Sequence, residues 1–396
     1  MTKIDIKGQI DKIKRGTVEI ISEEELTGHI NNALKARRPL RVKAGFDPTA
    51  SDIHLGHTLL LRKLRTFQDL NHKAILLIGD YTALIGDPSG QSQTRKMLTK
   101  KEVADNAKTY LKQVAKILLT DKEHLEVRYN SEWFRSLSLD KFLDIASRYN
   151  VARLVERDDF SNRLKQGKPI SVVEFLYPLM QGYDSVALDA DIEMGGTDQK
   201  FNLLVGRDMQ RSFGKVPQVV ITLPLLEGLD GKMKMSKSYD NFVGITEPPR
   251  EIFGKLMSIS DELMIRYYEL LTEDNLEAVK KMHPKEAKLN FAEGIVTRFY
   301  SPELAAKARS DFEAVFSKGN LAELAQEHRL KNARGETIFT ILMESKVVAS
   351  GNDARRLLRD AAVRFENEVI KDEKFVINRC GTLKVGKTRF LKIILP

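Results

Sequence analysis

His54 and His57 stand three residues apart in HLGH, inside FDPTASDIHLGHTLLLRKLRTFQDL, where turn residues give way to helical periodicity. Imidazoles at that spacing can ligate a metal, donate to an anion, or simply sit polar at the mouth of a helix. No third ligand of suitable type is close in sequence, which argues against a metal. Pro48, Thr49 and Gly56 instead indicate a sharp turn with close backbone approach. A turn at the carboxyl end of a parallel strand, leading into a helix N-terminus, is a place where phosphate binds. A second cationic segment, GKMKMSKSYDN, carries Lys232, Lys234 and Lys237 among Gly231, Met235, Ser236 and Ser238. A lysine run is usually a solvated face, but this one follows the apolar run ITLPLLEGLD directly. If both strands are parallel, it lies at the same sheet edge as HLGH. Imidazoles and ammonium groups together there suit the binding of phosphate.

The third candidate set is Tyr177, Gln181 and Asp184 in EFLYPLMQGYDSVAL. Their i, i+4, i+7 spacing presents all three on one helical face. A plain amphipathic core helix is the competing reading, and it is weakened because Gln and Asp are poor core residues unless paired.

These residues need elements to hold them. Ser22 and Glu25 form a capping box that opens an amphipathic helix ending before Pro39. The β-rich runs LRVKAGF and HKAILLIGD flank the HLGH helix, whose Leu60, Leu64 and Phe67 share a face. Strand, helix, strand at this spacing reads as a βαβ unit and hence a parallel sheet. From about Thr99 to Ser171 the chain reads as helical and charge-rich. VALDADIEMGG and QVVITLPLL enclose the helix TDQKFNLLVGRDMQRSFG, a second crossover that Thr197 can cap and Gly214 can end. After Asn241 the pattern is helical to about Arg334. The tail is a short basic helix, DARRLLRDAAVRF, followed by EVIKDEKFVI and TLKVGKTRFLKIILP, which alternate like small antiparallel strands.

At 396 residues the chain is too long for one compact core, so two or three domains are expected. Its 42% hydrophobic and 30% charged residues describe a globular protein, and the formal charge of +9 favours a polyanionic partner. No apolar run is long enough to span a bilayer, and the opening MTKIDIKGQIDKIKRG is too charged for a secretory signal. The single cysteine, Cys380, excludes a disulfide framework and points to a reducing, cytoplasmic setting.

HLGH and KMSKS together resemble the signature pair of the class I aminoacyl-tRNA synthetases. GFDPTASDIHLGH, IGDPSG, YPLMQGYDS and GGTDQKFN are similar to the pattern of bacterial tyrosyl-tRNA synthetases, and the resemblance covers essentially the whole chain. The tryptophanyl family shares the fold and the KMSKS loop. There, however, PTG is expected before the first histidine, without the run from Tyr177 to Asp184. A catalytically silent RNA-binding protein on a synthetase frame is a further alternative, against which the intact phosphate-handling motifs argue.

The resemblance implies an α/β fold: a Rossmann-like parallel-sheet catalytic domain over 1–243 with a helical insertion at about 105–170, an α-helical anticodon-side domain over 244–334, and a small α/β RNA-binding module over 335–396. It implies that His54, His57, Lys234 and Lys237 stabilise the leaving pyrophosphate. Gly45, Asp47, Thr49, Gly56, Gly196, Asp198, Met235 and Ser236 would line the ATP and adenylate site with those lysines. Asp87, Tyr177 and Gln181 would hold the amino group of tyrosine, and Asp184 would accept from its phenolic hydroxyl. Gln199 would touch the substrate carboxylate or the α-phosphate, and Arg95 and Lys96 either reach pyrophosphate or lie in an exposed loop. Arg355, Arg356, Arg359, Lys384, Lys387 and Arg389 would contact phosphates of tRNA(Tyr). Magnesium would arrive with ATP, with no dedicated metal site on the protein. A homodimer is implied, with helices between Leu111 and Leu164 as its contact, although those helices read equally well as core. Two positions depart from the pattern. Lys43 replaces a tyrosine that also touches the phenolic hydroxyl in many relatives, and Gln91 stands where many have lysine.

Overall fold

The computed structural model describes residues 5–48, 52–87, 99–317, 326–332, 334–345, 347–348, 351–366, 368–386 and 389–396. Thr49, Gln91, Arg95, Lys96 and Lys387 lie outside the described residues, and Arg389 is described in its backbone alone. The chain forms two compact units, Met1–Ser301 and Pro302–Pro396.

The first unit is built on strands β1 (Glu19–Ile21), β2 (Arg41–Phe46), β3 (Lys73–Ile78), β4 (Leu125–Tyr129), β5 (Ile192–Gly196) and β6 (Val219–Leu223), in spatial order β1-β6-β5-β2-β3-β4. β1 runs antiparallel to β6 and the other neighbours are parallel. β6 is buried along its whole length and β3 nearly so, which is why VVITL and KAILLI read as continuous apolar runs rather than alternating ones. The sequence runs outward in opposite directions from the adjacent pair β2 and β5. That reversal opens a crevice at their carboxyl ends.

The two crossover helices form as the periodicity requires. Helix Leu55–Asp69 buries Leu61, Leu64 and Phe67 between β2 and β3. Leu60 is not part of that buried face: it is half-buried and lines the crevice, because the apolar stripe is centred one residue later. Helix Lys200–Ser212 buries Leu203, Val205 and Met209. Thr197 does not cap it; a 3₁₀ turn, Thr197–Gln199, leads in, with Gln199 at the cap and no side-chain bond there. Gly214 does end it: at φ +70°, it allows Gly214 N–H and Lys215 N–H each to reach back 2.9 Å, to the carbonyls of Arg211 and Gln210. Ser22 and Glu25 form the expected capping box on helix Glu23–Lys35.

Two strands escape the sequence pattern. β4 lies in the stretch read as helical, because Glu126 and Arg128 interrupt LEVRY. At the sheet edge these charges find partners in each other, in Arg41 and in Glu132. β1 is only three residues long. After β6 come helices Pro249–Met257, Asp261–Leu271, Leu276–Lys281 and Pro284–Phe299.

The second unit opens with helix Pro302–Ser317. Residues 326–329, also within the stretch read as helical, form β7 instead (Gln326–Arg329). Further along come β8 (Glu336–Thr337), β9 (Val363–Phe365), β10 (Glu368–Val369), β11 (Val376–Ile377), β12 (Gly381–Val385) and β13 (Arg389–Ile394). They make a five-stranded sheet, β10-β9-β12-β13-β7, and a two-stranded one, β11-β8. Helices Ile338–Glu344 and Gly351–Arg359 close over a core that includes Ile338, Ile341, Leu357, Leu358, Phe365 and Leu391. β12 and β13 pair antiparallel, as their alternation predicts.

Candidate active site

A cleft of about 660 Å³ opens at the carboxyl ends of β2, β3, β5 and β6. Gly45, Asp47, His54, Gly56, His57, Asp87, Tyr177, Gln181, Asp184, Gly196, Asp198, Gln199, Lys234, Met235, Ser236 and Lys237 all line it. The structure therefore gathers these candidates of the first unit into one cavity, whereas Lys232 is exposed outside it.

Backbone pairing brings HLGH and KMSKS together. Leu55 N–H donates to Val243 O at 2.9 Å and Ile245 N–H to Ile53 O at 3.0 Å, so the chain leaving KMSKS runs along the approach to HLGH. A Cβ at Gly56 would sit 3.1 Å from the His54 ring and 3.6 Å from Met235 Cβ, so the glycine's lack of a side chain permits this approach. Asn241 clamps the lysine loop from behind. Its Oδ1 accepts from Ser236 N–H at 2.8 Å, and its amide donates to Asp230 Oδ2 at 3.1 Å and Lys234 O at 3.2 Å. Lys234 Nζ lies 2.7 Å from Asp198 Oδ2, and Lys237 pairs with Asp52.

The two imidazoles stack, with centroids 3.8 Å apart and planes at 25°. His57 Nδ1 accepts from His54 N–H at 3.3 Å, so the proton of a neutral His57 ring sits on Nε2. Desolvation, helped by the positive charge of Lys237 and Lys234, pushes His57 down to about 4. Desolvation, with His57 and the same lysines, holds His54 well below the ordinary histidine range. Both rings are thus neutral near pH 7. His54 Nδ1 is buried and has no hydrogen-bond partner among the described residues.

Across the cleft, helix Val172–Leu188 presents Tyr177, Gln181 and Asp184 as its spacing predicts. Asp184 Oδ1 accepts from Trp133 Nε1 at 2.9 Å and its Oδ2 from Asn130 Nδ2 at 3.4 Å. Burial raises this carboxyl to about 7 against the opposing pull of Lys43, Trp133 and Asn130. Tyr177 donates its hydroxyl proton to Asp47 Oδ2 at 2.8 Å, and Thr82 donates to the other oxygen at 2.9 Å. Gly79 must be glycine here, since a Cβ would fall 2.0 Å from Asp47 Oδ1. Gln199 Nε2 donates to Asp87 Oδ2 at 2.7 Å, while Asn202 Nδ2 reaches Gln181 Oε1 at 3.0 Å and Gln199 Oε1 at 3.3 Å. Arg157 stands behind, 3.7 Å from Asp87.

Sequence reasoning missed Thr82, Asn130, Trp133, Asp52, Asn241 and Arg157 as parts of this network. Asn202 was visible in GGTDQKFN, but nothing local assigns it a role. In the second unit, Arg355, Arg356 and Arg359 project from the exposed side of helix Gly351–Arg359, whose Ala354, Leu357 and Leu358 are buried. Arg355 pairs with Glu373 at 2.9 Å and Arg356 with Asp353 at 2.6 Å; Lys384 Nζ lies 5.6 Å from the Phe390 ring centroid. Among the described residues one group of side chains could gather around a metal. It is His328, Glu336 and Glu344, whose ligand atoms lie within 4.8 Å of one another in the second unit. Glu344 already takes the Lys331 ammonium at 2.8 Å.

A crevice at a strand-order reversal, with stacked imidazoles on one wall and a lysine loop on another, defines a class. The family model described as tRNA synthetases class I (W and Y) matches residues 35–317, and the chain belongs to that family. Within it, the similarity is to tyrosine–tRNA ligases. The chain is 49% identical over 400 residues to that of Desulfotalea psychrophila, with 98% of each chain covered. It is 50% identical over 392 residues to that of Aquifex aeolicus, again covering 98% of each. The solved tyrosyl-tRNA synthetase from Archaeoglobus fulgidus, complexed with L-tyrosine, shares the fold at TM-score 0.62. It is 24% identical, and the match covers 77% of this chain and 100% of that one.

Proposed function

We infer that the cleft joins tyrosine to ATP and passes the tyrosyl group to the terminal adenosine of tRNA(Tyr). The chain is a tyrosine–tRNA ligase and, as a class I synthetase, uses ATP. The observation that carries the assignment of residues is that His54, His57, Lys234 and Lys237 share one cleft with Tyr177, Gln181 and Asp184.

The tyrosine carboxylate attacks the α-phosphorus. It is already ionised at neutral pH, so this step needs no general base. What needs stabilising is charge on the departing pyrophosphate. Neutral His57 donates from Nε2, His54 adds a second imidazole, and Lys234 and Lys237 exchange Asp198 and Asp52 for phosphate oxygens. Loss of one such donor costs roughly 2.7–4 kcal/mol of transition-state stabilisation. Magnesium accompanies ATP as part of the substrate. Gly45, Gly56, Gly196, Met235 and Ser236 line the nucleotide's path. In the amino-acid pocket, ionised Asp184 accepts from the phenolic hydroxyl. Asp87, Gln181 and the lone pair left on Tyr177 Oη accept from the ammonium group, and Gln199 meets the carboxylate. The ribose hydroxyl of the tRNA then attacks the activated carbonyl, releasing AMP.

For tRNA, we assign Arg355, Arg356, Arg359, Lys384, Lys387 and Arg389 to phosphate contacts, and the segment 244–334 to the anticodon side. Leu139, Leu143, Val151 and Leu164 are exposed apolar residues in the segment expected to bury a homodimer contact. No helix among the described residues is long and apolar enough to cross a membrane, and the cytoplasm is the proposed setting. Exchange of labelled pyrophosphate into ATP tests the reading. Tyrosine supports it and tryptophan does not, and His54→Ala and Lys234→Ala each lower it by roughly 100- to 1000-fold; undiminished exchange in both variants overturns the assignment.

A further inference from the structure

Lys43 stands on β2 with its side chain wholly buried, its ammonium 2.8 Å from Glu193 Oε1 on β5. The same nitrogen donates to Ser185 Oγ at 2.8 Å and to Gln181 O at 3.2 Å. An ammonium has three protons to give, and these acceptors take all of them. Lys43 therefore has no donor left for a substrate.

Two of those acceptors, Gln181 and Ser185, bracket Asp184 on helix Val172–Leu188. Ser185 Oγ in turn donates to Glu193 Oε2 at 2.9 Å, and the Gln218 amide donates to that oxygen as well. Strand β2, strand β5 and the substrate-facing helix are thus tied at a single buried point. A buried ion pair is a poor source of stability, since desolvating both charges offsets their attraction and apolar packing does as well. A bonded ammonium does, however, fix the direction of its acceptors, which an apolar side chain cannot do.

We propose that Lys43 is a positioning residue for tyrosine selection: held by Glu193, it sets the helical turn that presents Gln181 and Asp184 and never touches the substrate. The proposal rests on the tyrosine-pocket reading above.

The paired variant Lys43→Met/Glu193→Gln removes both charges and leaves no unpaired ion. In tyrosine-dependent pyrophosphate exchange its KM for tyrosine rises roughly tenfold, while kcat and the KM for ATP stay within about twofold. The groups that face Asp184 are Lys43 from β2, Glu193 from β5, Asn130 and Trp133 after β4, and Tyr177 on its own helix. Loss of the favourable Lys43 charge outweighs loss of the repulsive Glu193 charge, so the pH inflection in tyrosine KM moves upward. A change of packing alone does not shift that inflection. Ser185→Ala provides a second arm that keeps the Lys43–Glu193 ion pair and leaves no unpaired buried charge, with a rise in tyrosine KM of roughly threefold at unchanged kcat. An unaltered tyrosine KM and unaltered inflection in the folded paired variant overturn the proposal. If that variant does not fold, an unaltered tyrosine KM in Ser185→Ala overturns it. Wild-type protein that shows no tyrosine-dependent exchange defeats the pocket reading instead, so the two failures are distinguishable.

Discussion

Asp184 is buried and His57 is partly desolvated in the cleft wall, and the consequences are opposite. Burial favours the neutral form of each, so the carboxyl rises to about 7 while the imidazole falls to about 4. On the proposed reading His57 therefore acts as a neutral donor over the whole physiological range and contributes no inflection there. Asp184 changes charge within that range. As pH falls through about 7 the carboxylate is protonated and the acceptor for the phenolic hydroxyl weakens, so the KM for tyrosine climbs. The pH profile of tyrosine KM in pyrophosphate exchange checks this. Asp184→Asn flattens the profile and narrows the preference for tyrosine over phenylalanine. The type and spacing of Tyr177, Gln181 and Asp184 were legible in the sequence. The donors that orient Asp184 were not, since Asn130 and Trp133 lie more than fifty residues from it along the chain.

Among the elements, the lysine loop is the one whose charges are already engaged. Lys234 faces Asp198, and Lys237 faces Asp52 beside HLGH, so on the proposed reading phosphate displaces a carboxylate at each position. A partly exposed pair of this kind is worth roughly 0.2–1 kcal/mol. Asp52→Asn should accordingly lower the KM for ATP by roughly 1.4- to fivefold, because Lys237 no longer leaves a partner when ATP binds. Steady-state exchange at varied ATP measures it, and a raised KM would mean that Asp52 assists binding instead. The element that sequence reading lost most clearly is β4. Its charged positions are satisfied only at a sheet edge beside Arg41 and Glu132, and nothing within LEVRY reveals that edge.

Across the whole molecule, pH acts on stability through buried histidines. Burial pushes His72 down to about 4, and its ring is tied between Leu40 N–H and Gln9 Oε1. Between about 4 and 6.5 the unfolded chain binds a proton at this site and the folded chain does not, so stability rises with pH across that window and is lost on acidification. The contribution between pH 7.5 and pH 5 is about 2 kcal/mol. In urea unfolding, His72→Gln should shrink the stability difference between those two pH values by about that amount. A formal charge of +9 sets a second whole-molecule property, affinity for a polyanion. Arg359→Ala should reduce the salt dependence of tRNA binding by roughly one unit of slope in a double-logarithmic plot, with little effect on tyrosine activation.

The amino-acid order alone determined what is local: most of the helical faces, the capping box, the glycine that ends a helix, and the HLGH and KMSKS motifs. Each depends on neighbours within about a turn or two, where backbone periodicity makes spacing equivalent to direction. Only the tertiary structure decided which charges meet. Lys237 and Asp52 are 185 residues apart, and Lys43 reaches acceptors near residue 185 from a strand at residue 43. Those meetings depend on strand order and on which side chains lose water together. Both properties belong to the assembled sheet rather than to any segment of the chain.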